Sequence, residues 1–180
     1  MKMLRATIAL GMACVAMAAE WSAPADVLHE MKPCLTYRAK LDGDMLVIEA
    51  AIQPGWHTFA IDNERRAAEK LAGKPSLGID QPTQIKLGGN LEIAGPWYQT
   101  PPKDFSKPEM RWFSWGFERQ ALFTAKVRRS GSGPSEIDIR GQACTDKTCK
   151  NIDVSLSLLA SPPQDKGASH IDLKTLVQVR

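Results

Sequence analysis

Two cysteines, Cys144 and Cys149, lie five positions apart in the stretch GQACTDKTCKN. Paired thiols at such a spacing can form a structural disulfide, contribute to a metal site or undergo reversible oxidation. A disulfide that closes so short a loop restricts the unfolded chain little, so its stabilising effect is expected near the low end of about 2 to 4 kcal/mol. Local charge is mixed, because Lys147 and Lys150 favour a thiolate whereas Asp146 opposes it. Spacing alone leaves a structural and a redox role both open.

A metal site would need further ligands. Cys34 and His57 could complete a three-cysteine, one-histidine zinc site, but the gap between Cys144 and Cys149 is at the outer edge of ligand spacing and no second tight pair exists. We therefore expect no metal and no other cofactor. His57 follows Trp56 at a predicted strand end, where its ring could tune a nearby thiolate. The alternative is a partly buried histidine bonded to backbone beside a core tryptophan.

The segment from Gly95 to Phe117 is dense in proline and aromatic residues and is predicted to be a long loop. Such a loop could cover an active site as a hydrophobic cap or present rings for stacking on a sugar. The alternative is that most of these rings close one end of the domain.

The elements that must position these residues are mostly strands. Residues 35–41 alternate in polarity, and the turn Asp42-Gly43-Asp44 separates them from the mostly apolar run 45–52, which is typical of a hairpin. Further strands are predicted at residues 84–87, 91–93, 121–127, 136–140 and 151–159. The pattern predicts an all-β fold, an immunoglobulin-like β-sandwich, and a barrel is the less favoured alternative. Because residues 136–140 and 151–159 are consecutive strands, both cysteines should lie at the hairpin end that joins them.

One segment has helical signals. Asp62 or Asn63 can cap the run 64–72, which ends at Gly73 with Pro75 beyond. It is charged on most of its circumference, so we expect a short helix inserted at the surface. The tail after Pro163 has too little apolar content before Ile171 to predict docking onto the domain.

Residues 1–19 have the features of a secretory signal peptide. Lys2 and Arg5 precede an apolar run of about a dozen residues that is too short to span a bilayer, and an Ala-x-Ala pattern follows at residues 16–18. We therefore expect a periplasmic chain with a domain at residues 24–163, a tail at 164–180 and no membrane span after processing. Removal of Cys14 leaves three cysteines, so Cys34 is a buried thiol, a reactive thiol or an intermolecular partner.

Charge and motifs exclude several function classes. The full chain has a net charge of +3, and loss of Lys2 and Arg5 leaves about +1 with acidic and basic residues interspersed, which gives no support for nucleic-acid binding. No Gly-x-Ser-x-Gly, phosphate-binding glycine loop or His-Glu-x-x-His motif is present.

The motif GWHTFA, the aromatic segment and GQACTDKTC before a final strand together resemble the N-terminal periplasmic domain of DsbD-type thiol:disulfide interchange proteins, from about Leu35 to Pro163. The resemblance implies an immunoglobulin-like domain whose paired cysteines, here Cys144 and Cys149, exchange electrons with thioredoxin-like and other periplasmic redox proteins through transient mixed disulfides. It also implies a cap near Trp112 and Phe113, with Gln142 close to the pair.

Three features depart from the family pattern. The cysteines are one residue closer together than usual, Lys150-Asn151-Ile152 replaces the usual Tyr-Pro-Pro, and Cys34 has no counterpart. No electron-carrying domain follows in this chain, so we expect a separate reductant.

Two hypotheses follow. The first is a protein-disulfide reductase-type exchange component that uses Cys144 and Cys149. The second is a non-enzymatic binding module with a structural disulfide and a Trp-rich contact loop.

Overall fold

The computed structural model describes residues 20–75, 80–159 and 169–180. The signal peptide expected at residues 1–19 and the domain boundary expected near residue 163 lie outside these ranges. The elements, in chain order, are β1 (Ala25–His29), β2 (Lys32–Asp42), β3 (Met45–Ile52), β4 (His57–Phe59), α1 (Asn63–Leu71), β5 (Gln84–Gly89), β6 (Leu91–Gln99), β7 (Lys103–Asp104), β8 (Trp115–Phe117), β9 (Gln120–Arg129), β10 (Ser135–Cys144), β11 (Cys149–Leu158) and β12 (Val177–Gln178).

These strands form two antiparallel sheets. The first sheet has the order β1-β2-β3-β9-β6-β12 and the second has the order β11-β10-β4-β8-β7. Two strands pair with the same edge of β10: β5 pairs with residues 135–140, and β4 pairs with residues 143 and 144. Leu35, Ile48 and Phe123 of the first sheet and Ile137 and Ile139 of the second are fully buried in one hydrophobic core. This arrangement confirms the predicted all-β, immunoglobulin-like sandwich.

Both predicted hairpins are confirmed. Asp42 pairs with Met45, so the two-residue turn between β2 and β3 is Gly43-Asp44, and Gly43 has the positive φ of 62° that such a turn favours. The pairing of β10 with β11 is continuous over ten residues and ends where Cys144 meets Cys149.

The prediction of a long loop from Gly95 to Phe117 is wrong. Strand β6 extends to Gln99 and pairs with β9, and its register shifts between Ile93 and Trp97. Pro96 lies within that irregularity, where its missing N–H removes no ladder hydrogen bond, so the proline does not end the strand. Residues 105–114 of this region contain a short 3₁₀ helix at Pro108–Met110 and lie beside the cysteine pair. We call residues 105–114 the covering segment.

The predicted surface helix is confirmed at Asn63–Leu71, between β4 and β5. Asp62 precedes it, but its buried carboxylate makes no capping hydrogen bond. It accepts hydrogen bonds from Arg66 Nε (2.8 Å) and Gln99 Nε2 (2.7 Å) instead. Burial alone would raise the pKa of Asp62, but these hydrogen bonds and the Arg66 charge lower it.

The described part of the tail docks on the sandwich, contrary to the expectation from its composition. Strand β12 pairs with β6, the amide of His170 donates to Asp42 (3.0 Å), and that of Arg180 donates to Asp62 (3.4 Å). Backbone pairing and two buried carboxylates provide the attachment, and neither requires apolar content. No helix in the described ranges has the length and hydropathy required of a membrane span.

Gly116 is needed where β8 meets β4, the strand that carries His57. A Cβ atom at this position would lie 2.1 Å from the carbonyl oxygen of Thr58. We expect Gly116→Ala to lower the free energy of unfolding by about 1 to 3 kcal/mol, because two backbones must separate. Gly88→Ala is the control, since its added Cβ would be 3.6 Å from the nearest atom. Urea denaturation of both variants measures the difference, and equal midpoints would contradict the close approach.

Candidate functional site

Cys144 and Cys149 form a disulfide at the turn end of the β10–β11 hairpin. Their Cα atoms are 4.0 Å apart and the S–S distance is 2.05 Å. The placement at the hairpin end is as predicted. The two residues differ in accessibility, because Cys144 is only 3% exposed whereas Cys149 is exposed to solvent. An external thiol can therefore approach the sulfur of Cys149 much more readily than that of Cys144.

The turn between the cysteines has its own hydrogen bonds. The Thr145 amide donates to the Thr148 carbonyl (2.8 Å), and the Thr145 hydroxyl accepts from the amides of Lys147 (3.2 Å) and Thr148 (3.1 Å). These bonds do not involve sulfur, so they can hold the hairpin end when the disulfide is open.

Cys144 is buried although it does not belong to the central core. Ile137, Ile139 and Ala143 point from β10 toward the other sheet, and strand alternation places Cys144 on the opposite, outer face. The buried side chains of Cys144 and Phe59 are both absent from the central core cluster. The outer face at this end is therefore enclosed by other parts of the chain.

The enclosing parts form a cleft of about 670 Å³ beside the disulfide. Its walls come from the β3–β4 loop, β4, the segment before β5, the covering segment and the turns after β8 and β10. The residues that line it include Trp56, His57, Phe59, Asp80, Phe105, Trp112, Ser114, Glu118, Asp146 and both cysteines.

His57 lies opposite Cys144, because β4 pairs with β10 in the register His57 to Cys144. Its ring stacks on Phe105, with centroids 4.8 Å apart, and meets Phe59 edge-on at 5.3 Å. Burial lowers the pKa of His57, against the opposing influence of the Asp80, Asp146 and Glu118 carboxylates.

Hydrogen bonds hold the covering segment over the sheet. The Trp112 indole donates to Asp80 Oδ2 (2.5 Å), and the buried Asn63 donates to the Asp80 carbonyl (3.2 Å) and accepts from the Trp115 amide (2.7 Å). Within the segment, Lys107 and Trp112 exchange two backbone hydrogen bonds. The first residue of α1, the segment before β5 and the start of β8 are thereby fixed to one another.

Of the four residues predicted to surround the cysteine pair, the structure places two in the cleft and two elsewhere. His57 and Trp112 line the cleft with the cysteines, whereas Phe113 packs against the core. Gln142 is not among the lining residues, and its side chain accepts from the Gln81 amide (3.3 Å). Sequence reasoning did not identify Phe105 as the ring against His57. The only sequence signal for Phe105 was its place among the aromatic residues of the 95–117 region.

Cys34 is a buried thiol, 1% exposed, whose S–H donates to the Val27 carbonyl at 3.1 Å. Burial raises its pKa, which keeps it protonated and unreactive. With Cys34 bonded to backbone and the other pair oxidised, the three-cysteine zinc site is not assembled. Among the residues described by the structure, no cluster of three or more histidine, cysteine or acidic groups could hold a metal ion.

Comparison with known proteins gives structural similarity without sequence similarity. Neither a known family nor a curated protein matches this sequence. The similar solved structures include the reduced DsbD N-terminal domain of Neisseria meningitidis, with 10% identity over 72% of this chain and 87% of that one and a TM-score of 0.42. The DsbD N-terminal domain in complex with the PilB N-terminal domain, from the same organism, has 10% identity over 74% and 88% and a TM-score of 0.44.

A third structure is the GAE domain of GGA2p from Saccharomyces cerevisiae, with 7% identity over 77% of this chain and 100% of that one and a TM-score of 0.39. At these identities and scores the similarity assigns no function, which has to be inferred from the site itself.

The lowered pKa of His57 predicts a loss of stability on acidification. The unfolded chain binds a proton near pH 6.5, the ordinary value, whereas the folded chain binds it only at lower pH. The free energy of unfolding should therefore fall as pH falls below about 6.5. Urea denaturation between pH 7.5 and 5 should show a shallower fall for His57→Gln than for the parent.

His29→Gln is the matched control, because His29 touches Trp56 but does not line the cleft. The same change of slope in His29→Gln would show that the effect does not come from the cleft histidine. Asp42 and Asp62 have lowered pKa values, so their contributions to the free energy of unfolding are lost only below about pH 3.8. That loss lies outside the measured range of pH 7.5 to 5. Identical slopes for His57→Gln and the parent would contradict the assignment.

Reduction of the disulfide should leave the protein folded. The bridge joins residues separated by five positions, and closing so short a loop contributes about 2 kcal/mol. The Thr145 turn and the β10–β11 pairing also remain. Urea denaturation with and without dithiothreitol should show a shift of about 2 kcal/mol or less. Unfolding on reduction in native buffer would instead indicate a structural disulfide.

Proposed function

We propose that this protein is a thiol:disulfide exchange module of the periplasm, in which Cys144 and Cys149 cycle between dithiol and disulfide. The observation that carries the proposal is the asymmetry of the pair, with one exposed cysteine and one buried cysteine beside a cleft. A disulfide that only stabilises the fold gains nothing from such an arrangement. The resemblance of GWHTFA and GQACTDKTC to DsbD N-terminal domains supports the same function.

The asymmetry assigns different roles to the two cysteines. In the reduced protein the Cys149 thiolate attacks a disulfide of a partner protein, a Cys149–partner bond forms, and one partner sulfur leaves as a thiolate. Cys144 then attacks Cys149, the mixed disulfide breaks, and the second partner sulfur is released. Two electrons pass to the partner, and the Cys144–Cys149 disulfide is restored.

The proposed partners are periplasmic redox proteins, including thioredoxin-like ones, that meet the exposed Cys149 through transient mixed disulfides. The charges beside the exposed end are Asp146, Lys147 and Lys150, all on the protein surface. The cleft can accept the chain that flanks a partner cysteine. Export through the expected signal peptide would place the protein in the same compartment as these partners.

The packing of the tryptophans argues against the rival function of a binding module. Trp115 is 9% exposed, Trp97 packs against the core from β6, and the Trp112 indole is bonded to Asp80. A contact loop would present these rings to solvent. The described part of the region holds them in strands or against the sandwich.

The reduction potential of the pair tests the proposal. We expect a value well above about −300 mV, since structural disulfides of secreted proteins tend to lie below it. The mature protein with Cys34→Ser is equilibrated across glutathione and dithiothreitol ratios and read by mass after thiol trapping. If the Cys144–Cys149 disulfide resists reduction until the protein unfolds, the redox function is refuted and the binding-module function is favoured.

Single-cysteine variants test the assigned roles. In the Cys34→Ser background, Cys144→Ser leaves the exposed Cys149 and should form a mixed disulfide with oxidised glutathione at least about tenfold faster than Cys149→Ser, which leaves the buried thiol. Mass spectrometry of samples quenched with acid gives both rates. Equal rates would contradict the assignment of Cys149 as the attacking residue.

A further inference from the structure

We infer that His57 accepts the proton of the Cys144 thiol in the step that resolves the mixed disulfide. The protein thus supplies its own general base for disulfide exchange. The inference rests on the proposed exchange function and assigns a mechanism to the same site. It depends on three features: the strand register, the burial of Cys144 and the enclosure of the His57 ring.

The register places the two residues side by side. His57 and Cys144 are directly opposite on neighbouring antiparallel strands, and directly opposed side chains share a face with Cβ atoms about 4.5 to 5.5 Å apart. Both residues line the same cleft. Cys149 lies opposite Cys144 on the other side, so Cys144 has its redox partner on one neighbouring strand and the imidazole on the other.

The burial of Cys144 creates the need for a base. An exposed thiol can exchange its proton with water, which also solvates the thiolate that forms, and Cys149 is exposed. A thiol that is 3% exposed has little contact with water, and burial disfavours its anion. The attack of Cys144 on Cys149 is therefore slow unless a neighbouring group removes the proton as the S–S bond forms.

His57 is in the state that such a base requires. Burial keeps the imidazole neutral near pH 7, so a ring nitrogen is free to accept a proton. Phe105 and Phe59 contact the ring and restrict its orientation.

The charged groups that act on His57 come from four connecting segments around it. Asp80 precedes β5, Glu118 follows β8 and Asp146 lies in the β10–β11 turn, and all three stabilise the imidazolium that forms. Lys107 in the covering segment opposes it. The surroundings thus allow a ring that is neutral at rest to become charged during the step.

The step balances in atoms and electrons. The proton on Cys144 Sγ moves to an imidazole nitrogen of His57 as the sulfur attacks Cys149 Sγ. The Cys144–Cys149 bond forms, the Cys149–partner bond breaks, and its electron pair leaves on the partner sulfur. The imidazolium then returns its proton to that thiolate or to water.

A two-phase reaction with 4,4′-dithiodipyridine measures the resolving step separately. In the reduced mature protein with Cys34→Ser, attack by Cys149 releases the first coloured thione, and attack by Cys144 on the mixed disulfide releases the second. Stopped-flow absorbance at pH 7 should show that His57→Gln slows the second phase by about 100-fold and leaves the first within about twofold. His29→Gln should leave both phases unchanged.

The pH profile separates a base from a structural role. In the parent, the second phase should rise with pH to the midpoint of His57 and then level off, and NMR titration of the His57 ring provides that midpoint without any variant. In His57→Gln the rate should keep rising and approach the parental rate near pH 9, where hydroxide removes the proton. A deficit of the same size at every pH would overturn the inference, since it would indicate a distorted site.

The outcomes also distinguish this inference from the proposed function. If the parent releases both thiones and His57→Gln does so at the same rates at pH 7, the role of His57 is refuted and the exchange function stands. A parent that stops after the first release cannot form its disulfide by exchange, which overturns the exchange function and the base together. If His57→Gln does not fold, a parental second phase with no plateau at the NMR midpoint still refutes the inference.

Discussion

The register of strand β10 against both of its neighbours is the constraint on which the site depends. This one strand pairs with β11 so that Cys144 meets Cys149, and with β4 so that Cys144 meets His57. A shift of either pairing by one residue would turn the opposing side chain to the other face of the sheet. The buried face of β10, with Ile137 and Ile139 in the core, fixes the register because a slip would expose these residues.

The proposed chemistry depends on a cysteine pair that lies on the outer face of a sheet, with one cysteine covered and the other exposed. Strand alternation directs Cys144 away from the core, and the covering segment together with the β3–β4 loop shields it from water. Cys149 lies at the open edge and remains accessible. The same enclosure lowers the pKa of His57. In the proposed mechanism, the exposed nucleophile Cys149, the buried Cys144 and the proton acceptor His57 thus lie on three neighbouring strands.

Buried polar groups connect this cover to the rest of the fold. Asn63 links the start of α1 to β8 and to Asp80, and Asp80 holds the Trp112 indole. Asp62 joins Arg66, Gln99 and the docked tail in a second network. Such groups are costly to leave unpaired, so each network favours a single arrangement of the loops. Apart from the i,i+4 pair of Asp62 and Arg66, these connections join residues that follow no sequence period, so they could not be predicted from the pattern of residue types.

The sequence by itself determined the strands with strong alternation, the β2–β3 and β10–β11 hairpins, the helix after Asp62 and the position of the cysteine pair at a hairpin end. These features depend on local periodicity, turn residues and short separations along the chain. Only the tertiary structure decided which cysteine is buried, that Phe105 rather than Phe113 meets the cleft, that β6 continues past Pro96 and that the tail docks. These outcomes depend on contacts between residues distant in sequence, and the local pattern does not encode them.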